Sequence, residues 1–263
     1  YGALSIASCL AWGLGYFGVP QVLLRFMAIR KVSELKKSRR IATVWVLISL
    51  FAAVAIDVIG RALMPTEDAL LSAGGAENVF VLMAQKLLPA ILAGAVMAGI
   101  LAATISSSDS YLLIAASAVS RNIFKGIVKK DASDKTVMWV SRIVLIAVAA
   151  IGAVIALDEN SVIFTLVSFA WAGFGATFGP VILFSLFWKR MNRAGALAGM
   201  LTGGISVFVW KLALKPLGGL FGIYELLPAF LLACIAIIAV SLLSKKPSSE
   251  IEAEFEKAKT VQD

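Results

Sequence analysis

Of 263 residues, 60% are hydrophobic and only 15% are charged. The mean hydropathy of +0.92 lies far outside the soluble range, in which about half of the residues are apolar. The net charge of +8 would suggest nucleic acid in a soluble domain, but here the cations fall between apolar runs and report topology, so no nucleic-acid partner is expected.

The chain begins at Tyr1 rather than methionine, and its first apolar run starts almost at once, without the charged leader or cleavage site of a signal peptide. It is expected to be part of a longer protein. Several runs reach the roughly 20 residues needed to cross a bilayer. Seven spans are predicted: Leu4–Ile29, Ala42–Met64, Pro89–Ile123, Val137–Leu157, Ser161–Trp188, Ala194–Leu214 and Leu226–Leu243.

The first span is interrupted near its middle by Trp12-Gly13-Leu14-Gly15-Tyr16-Phe17-Gly18-Val19-Pro20. Glycines at intervals of two and three, followed by proline, weaken the helical ladder. Non-helical backbone at that depth is tolerated where it lines a cavity or is buried in protein, and broken helices mark substrate and ion sites in secondary transporters. Trp12 and Tyr16, four apart, are predicted to share one face beside the break. They read either as an aromatic wall for a small zwitterion or as ordinary core.

Between the second and third spans, Ala73–Lys86 is predicted to form a short external helix. The third span then carries Ala102-Ala103-Thr104-Ile105-Ser106-Ser107-Ser108-Asp109-Ser110. On a helix, Ala103, Ser106, Ser107 and Ser110 follow the i, i+3, i+4, i+7 spacing and lie on one face. Hydroxyl and carbonyl oxygens are hard ligands suited to Na⁺, whereas membrane serines otherwise tighten helix packing or bond back to their own helix. Asp109 is an ionisable residue inside a span, a functional-site hypothesis by default. It is predicted to be satisfied inside the bundle, either by hydrogen bonds or as a negative potential that favours a cation.

The fifth span repeats the small and aromatic theme in Ala170-Trp171-Ala172-Gly173-Phe174-Gly175-Ala176 and Gly179-Pro180, read as tight helix contact or a gate. The tail Glu250–Lys259 is charged and weakly amphipathic, predicted to be a solvated extension rather than a binding element. Odd-numbered loops are basic, from Arg30, Lys31, Lys36, Lys37, Arg39 and Arg40 in the first to Lys189, Arg190 and Arg193 in the fifth. The positive-inside rule puts these loops and the C-terminus in the cytoplasm of a multi-pass cell-membrane protein. With no histidine, and with Cys9 and Cys234 both inside apolar runs, zinc ligation and a disulfide framework are unsupported. No nucleophile–base–orienter set is visible, so no enzyme is expected. A seven-helix receptor also fits the topology, though it leaves the broken first span unexplained, and a cation-channel subunit would have the serine helix line a pore.

Two motifs resemble the sodium/solute symporter family. Trp12-Gly13-Leu14-Gly15-Tyr16-Phe17-Gly18 with Pro20 and Arg25-Phe26-Met27-Ala28 is similar to its seventh transmembrane segment. Ala98-Gly99-Ile100-Leu101-Ala102-Ala103 with Ser106-Ser107 is similar to its ninth. The resemblance extends over all seven spans. It implies an all-α membrane protein forming the second half of a leucine-transporter-like inverted-repeat fold. Residues 1–188 would then be the second five-helix repeat, 189–245 two additional helices and 246–263 a cytoplasmic tail. It further implies Na⁺-coupled uptake of a small amino acid, L-proline first, with Na⁺ as coupling ion and no other cofactor. Trp12, Tyr16 and Pro20 would line the substrate pocket. Ala103 (through its carbonyl), Ser106 and Ser107 would bind Na⁺, with Asp109 and Ser110 as possible support for the ion site. The remaining ligands would come from an N-terminal half, the partner that this chain requires for transport.

Overall fold

The computed structural model describes residues 2–66, 70, 75–157 and 163–260, and every regular element among them is helical. The first span is broken, as the glycine and proline pattern predicts. Helix α1 (Ala3–Ala11) tightens into a 3₁₀ turn over Trp12–Phe17, and helix α2 (Pro20–Met27) leaves at 49° to it. Val19 adopts the extended backbone that a following proline favours, φ −83° and ψ 117°. Pro20 then takes the first turn of α2, where its missing N–H removes no hydrogen bond.

Helix α3 (Glu34–Leu63) starts eight residues before the apolar limit predicted for the second span. Its charged first turns stay helical, and Glu34 receives Arg30 at 2.6 Å. The short helix predicted between the second and third spans is present as α4 (Val79–Leu87), after a 3₁₀ turn over Gly75–Asn78; positions 73 and 74 lie outside the described residues. Helix α5 (Ala90–Ser117) continues in π geometry through Ala118–Val128, five residues beyond the predicted end. Helix α6 (Asp134–Ile155) starts at Ser133, whose Oγ accepts the Thr136 amide at 3.3 Å. Helices α7 (Ile163–Phe187) and α8 (Arg193–Val209, then π geometry over Trp210–Leu214) follow, and α9 (Leu226–Leu243) matches its predicted span at both ends. Ser161 and Val162, predicted to open the fifth span, lie outside the described residues. Among the described residues, six helices are long and apolar enough to cross a membrane, or seven if the bent pair is one span.

The tail is helix α10 (Ser249–Thr260), mostly exposed, with two ion pairs to the rest of the chain. Lys189 pairs with its Glu252 at 3.5 Å and its Glu256 at 3.3 Å. Those carboxylates, Glu256 foremost, hold the Lys189 ammonium above its usual titration range.

Two compact units emerge, Tyr1–Val44 with Phe164–Asp263, and Trp45–Ile163. In the first, Gly195, Gly199 and Gly203 recur every fourth residue and form a ridge that lets helix backbones approach. A Cβ at Gly199 would sit 2.3 Å from Ile237, and one at Gly203 would sit 2.1 Å from the Ala176 carbonyl oxygen. In the second unit, α4 folds back on the end of α3, burying Met64, Leu70 and Val79 together. The Ser141 hydroxyl donates to the buried Ser120 hydroxyl at 2.6 Å. The most apolar stretches of α3 and α6 bury nothing within the chain. Such faces require lipid or further protein against them.

Candidate functional site

The break in the first span organises an aromatic cluster in the first unit. Trp12 stacks on Phe164, Trp171 and Tyr224 with ring centroids 5.3, 5.8 and 5.7 Å away. Tyr16 meets Trp171 edge-on at 4.8 Å. The Trp171 indole N–H donates to the Trp12 carbonyl at 3.0 Å, tying α7 to the tight turn. Gly15 lies directly beneath that indole, where a Cβ would fall 1.9 Å from Nε1. A glycine here is therefore a condition of the cluster. Both predicted aromatics touch Trp171, but they differ in access: Trp12 is partly buried among rings, whereas Tyr16 is 52% exposed. Pro20, also partly buried, opens α2 on the far side of the break.

The loop before α9 closes over this cluster. Tyr224 donates its hydroxyl to the Ser168 carbonyl at 2.5 Å and its amide to the Ser8 hydroxyl at 3.0 Å. Burial, and then the charge of Glu225, push its phenol above the usual tyrosine range, which keeps it a neutral donor. Glu225 is fully buried and receives Lys215 at 2.7 Å, with Lys211 at 3.6 Å. In the fold these three charges anchor the segment that carries Tyr224.

The second unit holds the predicted ion face. Ala103, Ser106, Ser107 and Ser110 lie in regular α-helix and are exposed in this chain. The Ser110 hydroxyl donates to the Ser106 carbonyl at 3.3 Å, and Thr104 donates to the Ile100 carbonyl at 2.9 Å. Such back-bonding is the usual fate of helical hydroxyls. Among the described residues, no partner engages the hydroxyls of Ser106 and Ser107 or the carboxylate of Asp109, which is exposed. In regular helix the hydroxyls of the adjacent Ser106 and Ser107, with the second lone pair of the Ala103 carbonyl one turn earlier, can be offered to a hard cation.

Sequence reasoning missed Phe164 and Tyr224 as partners of Trp12, and it read Trp171 only as part of a packing motif. The available signal was a tryptophan among glycines at a spacing that mirrors the first span. It also passed over Asp57, an acid inside α3 that is exposed and has no partner among the described residues. The signal there was the one that drew attention to Asp109.

Comparison with known proteins adds to this geometry. Residues 2–203 match the model of the sodium:solute symporter family. The chain is 43% identical over 257 residues to a sodium/proline symporter of Haemophilus influenzae, covering 97% of this chain and 51% of that protein. It is 41% identical to a sodium/proline symporter of Escherichia coli, covering 97% and 50%. It is 40% identical to a high-affinity proline transporter of Bacillus subtilis, covering 96% and 52%. The chain thus spans about half the length of the curated relatives it matches.

Proposed function

The chain belongs to the sodium:solute symporter family, and from that premise we propose that it forms the second half of a transporter that couples Na⁺ entry to uptake of L-proline. The observation that carries this reading is the broken first span, with an aromatic cluster packed around the break, in a chain similar to named proline transporters along nearly all its length. Receptor and channel readings gain nothing from these matches.

In this reading the exposed ring of Tyr16 packs against the pyrrolidine ring, and Trp12, held by Trp171, Phe164 and Tyr224, fixes the wall behind it. The turn at Gly18 and Val19 directs backbone dipoles toward the charged ends of the zwitterion. Pro20 sets the direction in which α2 leaves the pocket. Na⁺ takes the Ala103 carbonyl with the Ser106 and Ser107 hydroxyls, and Ser110 and Asp109 support that face. An N-terminal half supplies the remaining ligands. The cytoplasmic position of the basic loops and of the C-terminus, in the cell membrane, belongs to the same proposal. So does the division into a five-helix repeat over 1–188, two added helices over 189–245 and a tail over 246–263. Coupling then requires that Na⁺ and proline each bind one conformation of the transporter better than the other.

Proteoliposomes holding the full-length protein that contains this chain should accumulate labelled proline only under an inward Na⁺ gradient. Equal accumulation under a K⁺ gradient would remove the sodium assignment, and preference for a sugar over proline would remove the substrate assignment.

A further inference from the structure

At the end of the first unit where α7 and α9 terminate, the chain builds a cleft of about 680 Å³ beneath α10. Its frame is fixed by hydrogen bonds. Asn192 caps α8 by accepting the Gly195 amide at 2.9 Å, and its Nδ2 donates to the Ser244 hydroxyl and to the Lys245 carbonyl, each at 2.7 Å. Arg190 donates to the Ser244 carbonyl at 2.8 Å. These bonds set Lys245 and Lys246 on the wall of the cleft, close to Arg193 at the start of α8.

The lining has two characters. Trp188, Met191, Ile251 and Phe255 supply an apolar floor; Arg193, Lys245 and Lys246 supply cations. The carboxylates of Glu252 and Glu256 bond Lys189. Among the described residues, no carboxylate pairs with Arg193, Lys245 or Lys246. Immediately before the cleft residues in the chain come Leu186, Phe187, Leu242 and Leu243, exposed by 58% or more. A compact anion would satisfy the cations but leave the apolar floor and these leucines without a partner. An anion on an acyl stem satisfies both.

We propose that this cleft binds the phosphate headgroup of an anionic phospholipid, with Arg193, Lys245 and Lys246 on the phosphate and the acyl chains along the ends of α7 and α9. The choice of an inner-leaflet lipid rests on the orientation proposed above; the headgroup chemistry does not. Basic pockets on the cytoplasmic side of membrane helices suit such headgroups, because anionic lipids enrich that leaflet.

Native mass spectrometry of the purified full-length protein, titrated with phosphatidylglycerol and separately with phosphatidylcholine, tests this without any transport readout. Failure of the proline reading therefore leaves the result intact. Phosphatidylglycerol should bind at least about tenfold tighter than phosphatidylcholine. K245Q/K246Q should weaken it about 25-fold, at about fivefold per lysine, while phosphatidylcholine binding stays unchanged. R193Q should act in the same direction and provides a second route should the double variant fold poorly. Equal weakening by K129Q/K130Q, in a different basic loop, would reduce the effect to general surface charge and overturn the site. Displacement of the lipid by excess inorganic phosphate, or equal affinity for the two lipids, would overturn the lipid assignment.

Discussion

Gly18→Ala tests whether the close approach of α7 to the break is what holds the aromatic cluster. Gly18 has φ −110° and ψ −7°, a backbone any residue adopts, so alanine brings no dihedral penalty. In open space the exchange would stabilise by about 0.5–1 kcal/mol through the entropy of the unfolded chain. Here, however, the new methyl carbon would lie 2.3 Å from the Phe174 carbonyl oxygen, 2.8 Å from the Gly179 nitrogen and 3.0 Å from the Gly175 Cα. All three are backbone atoms of α7 and cannot swing aside, so the helix must retreat by about an ångström. The cost therefore falls near the top of the overpacking range of about 1–3 kcal/mol, for a net destabilisation of about 2 kcal/mol. Retreat of α7 also pulls Trp171 from the Trp12 carbonyl. Gly13→Ala is the matched control, because nothing lies within 4 Å of its Cβ. Thermal unfolding of the purified protein in detergent, followed by tryptophan fluorescence, should show Gly18→Ala melting well below Gly13→Ala. Equal melting temperatures would refute the close contact and with it the placement of α7 against the break.

Trp171→Phe keeps the ring but removes the donor to Trp12, so it should cost about 1 kcal/mol of stability and weaken proline binding; unchanged proline affinity in a binding assay would reduce Trp171 to packing. Ser106→Ala and Ser107→Ala should each raise the half-saturating Na⁺ concentration about 5- to 150-fold, from the loss of about 1–3 kcal/mol per oxygen ligand, and leave proline affinity at saturating Na⁺ largely intact. An unchanged Na⁺ dependence in both variants would return the serines to helix packing. Tyr224 gives a pH signature. Its folded-state pKa is raised, so its contribution is fully present below the unfolded value of about 10 and is lost as pH climbs above that. Tyr224→Phe should thus be less stable than the parent at pH 8, with the gap narrowing above about pH 10; a constant gap across that range would contradict a phenol held neutral.

Much of the architecture could be read from local chemistry. Leu226–Leu243 matches its predicted span because an apolar run between Glu225 and Ser244 leaves the helix no other limits. The break at Gly18 and Val19 was equally legible, since glycine and proline act on the backbone whatever surrounds them. The start of α3 was not. Hydropathy marks where lipid ends rather than where helix ends, so the charged first turns from Glu34 were assigned to a loop. The ion pairs that Lys189 makes with Glu252 and Glu256 are not legible either, because a weakly amphipathic helix does not show in its sequence which cation lies beside it.

Sequence alone decides the membrane class, the order of the apolar helices, the break, and the shared face of Ala103, Ser106, Ser107 and Ser110. Each follows from composition or from a period along one element. The tertiary structure decided what those elements meet. It chose Trp171, Phe164 and Tyr224 as the partners of Trp12, joined Lys215 to Glu225, and set Gly18 against the backbone of α7. These contacts join residues as many as 212 positions apart, from Trp12 to Tyr224. Local propensity carries no record of such pairs, because they depend on which apolar faces find one another when the helices pack.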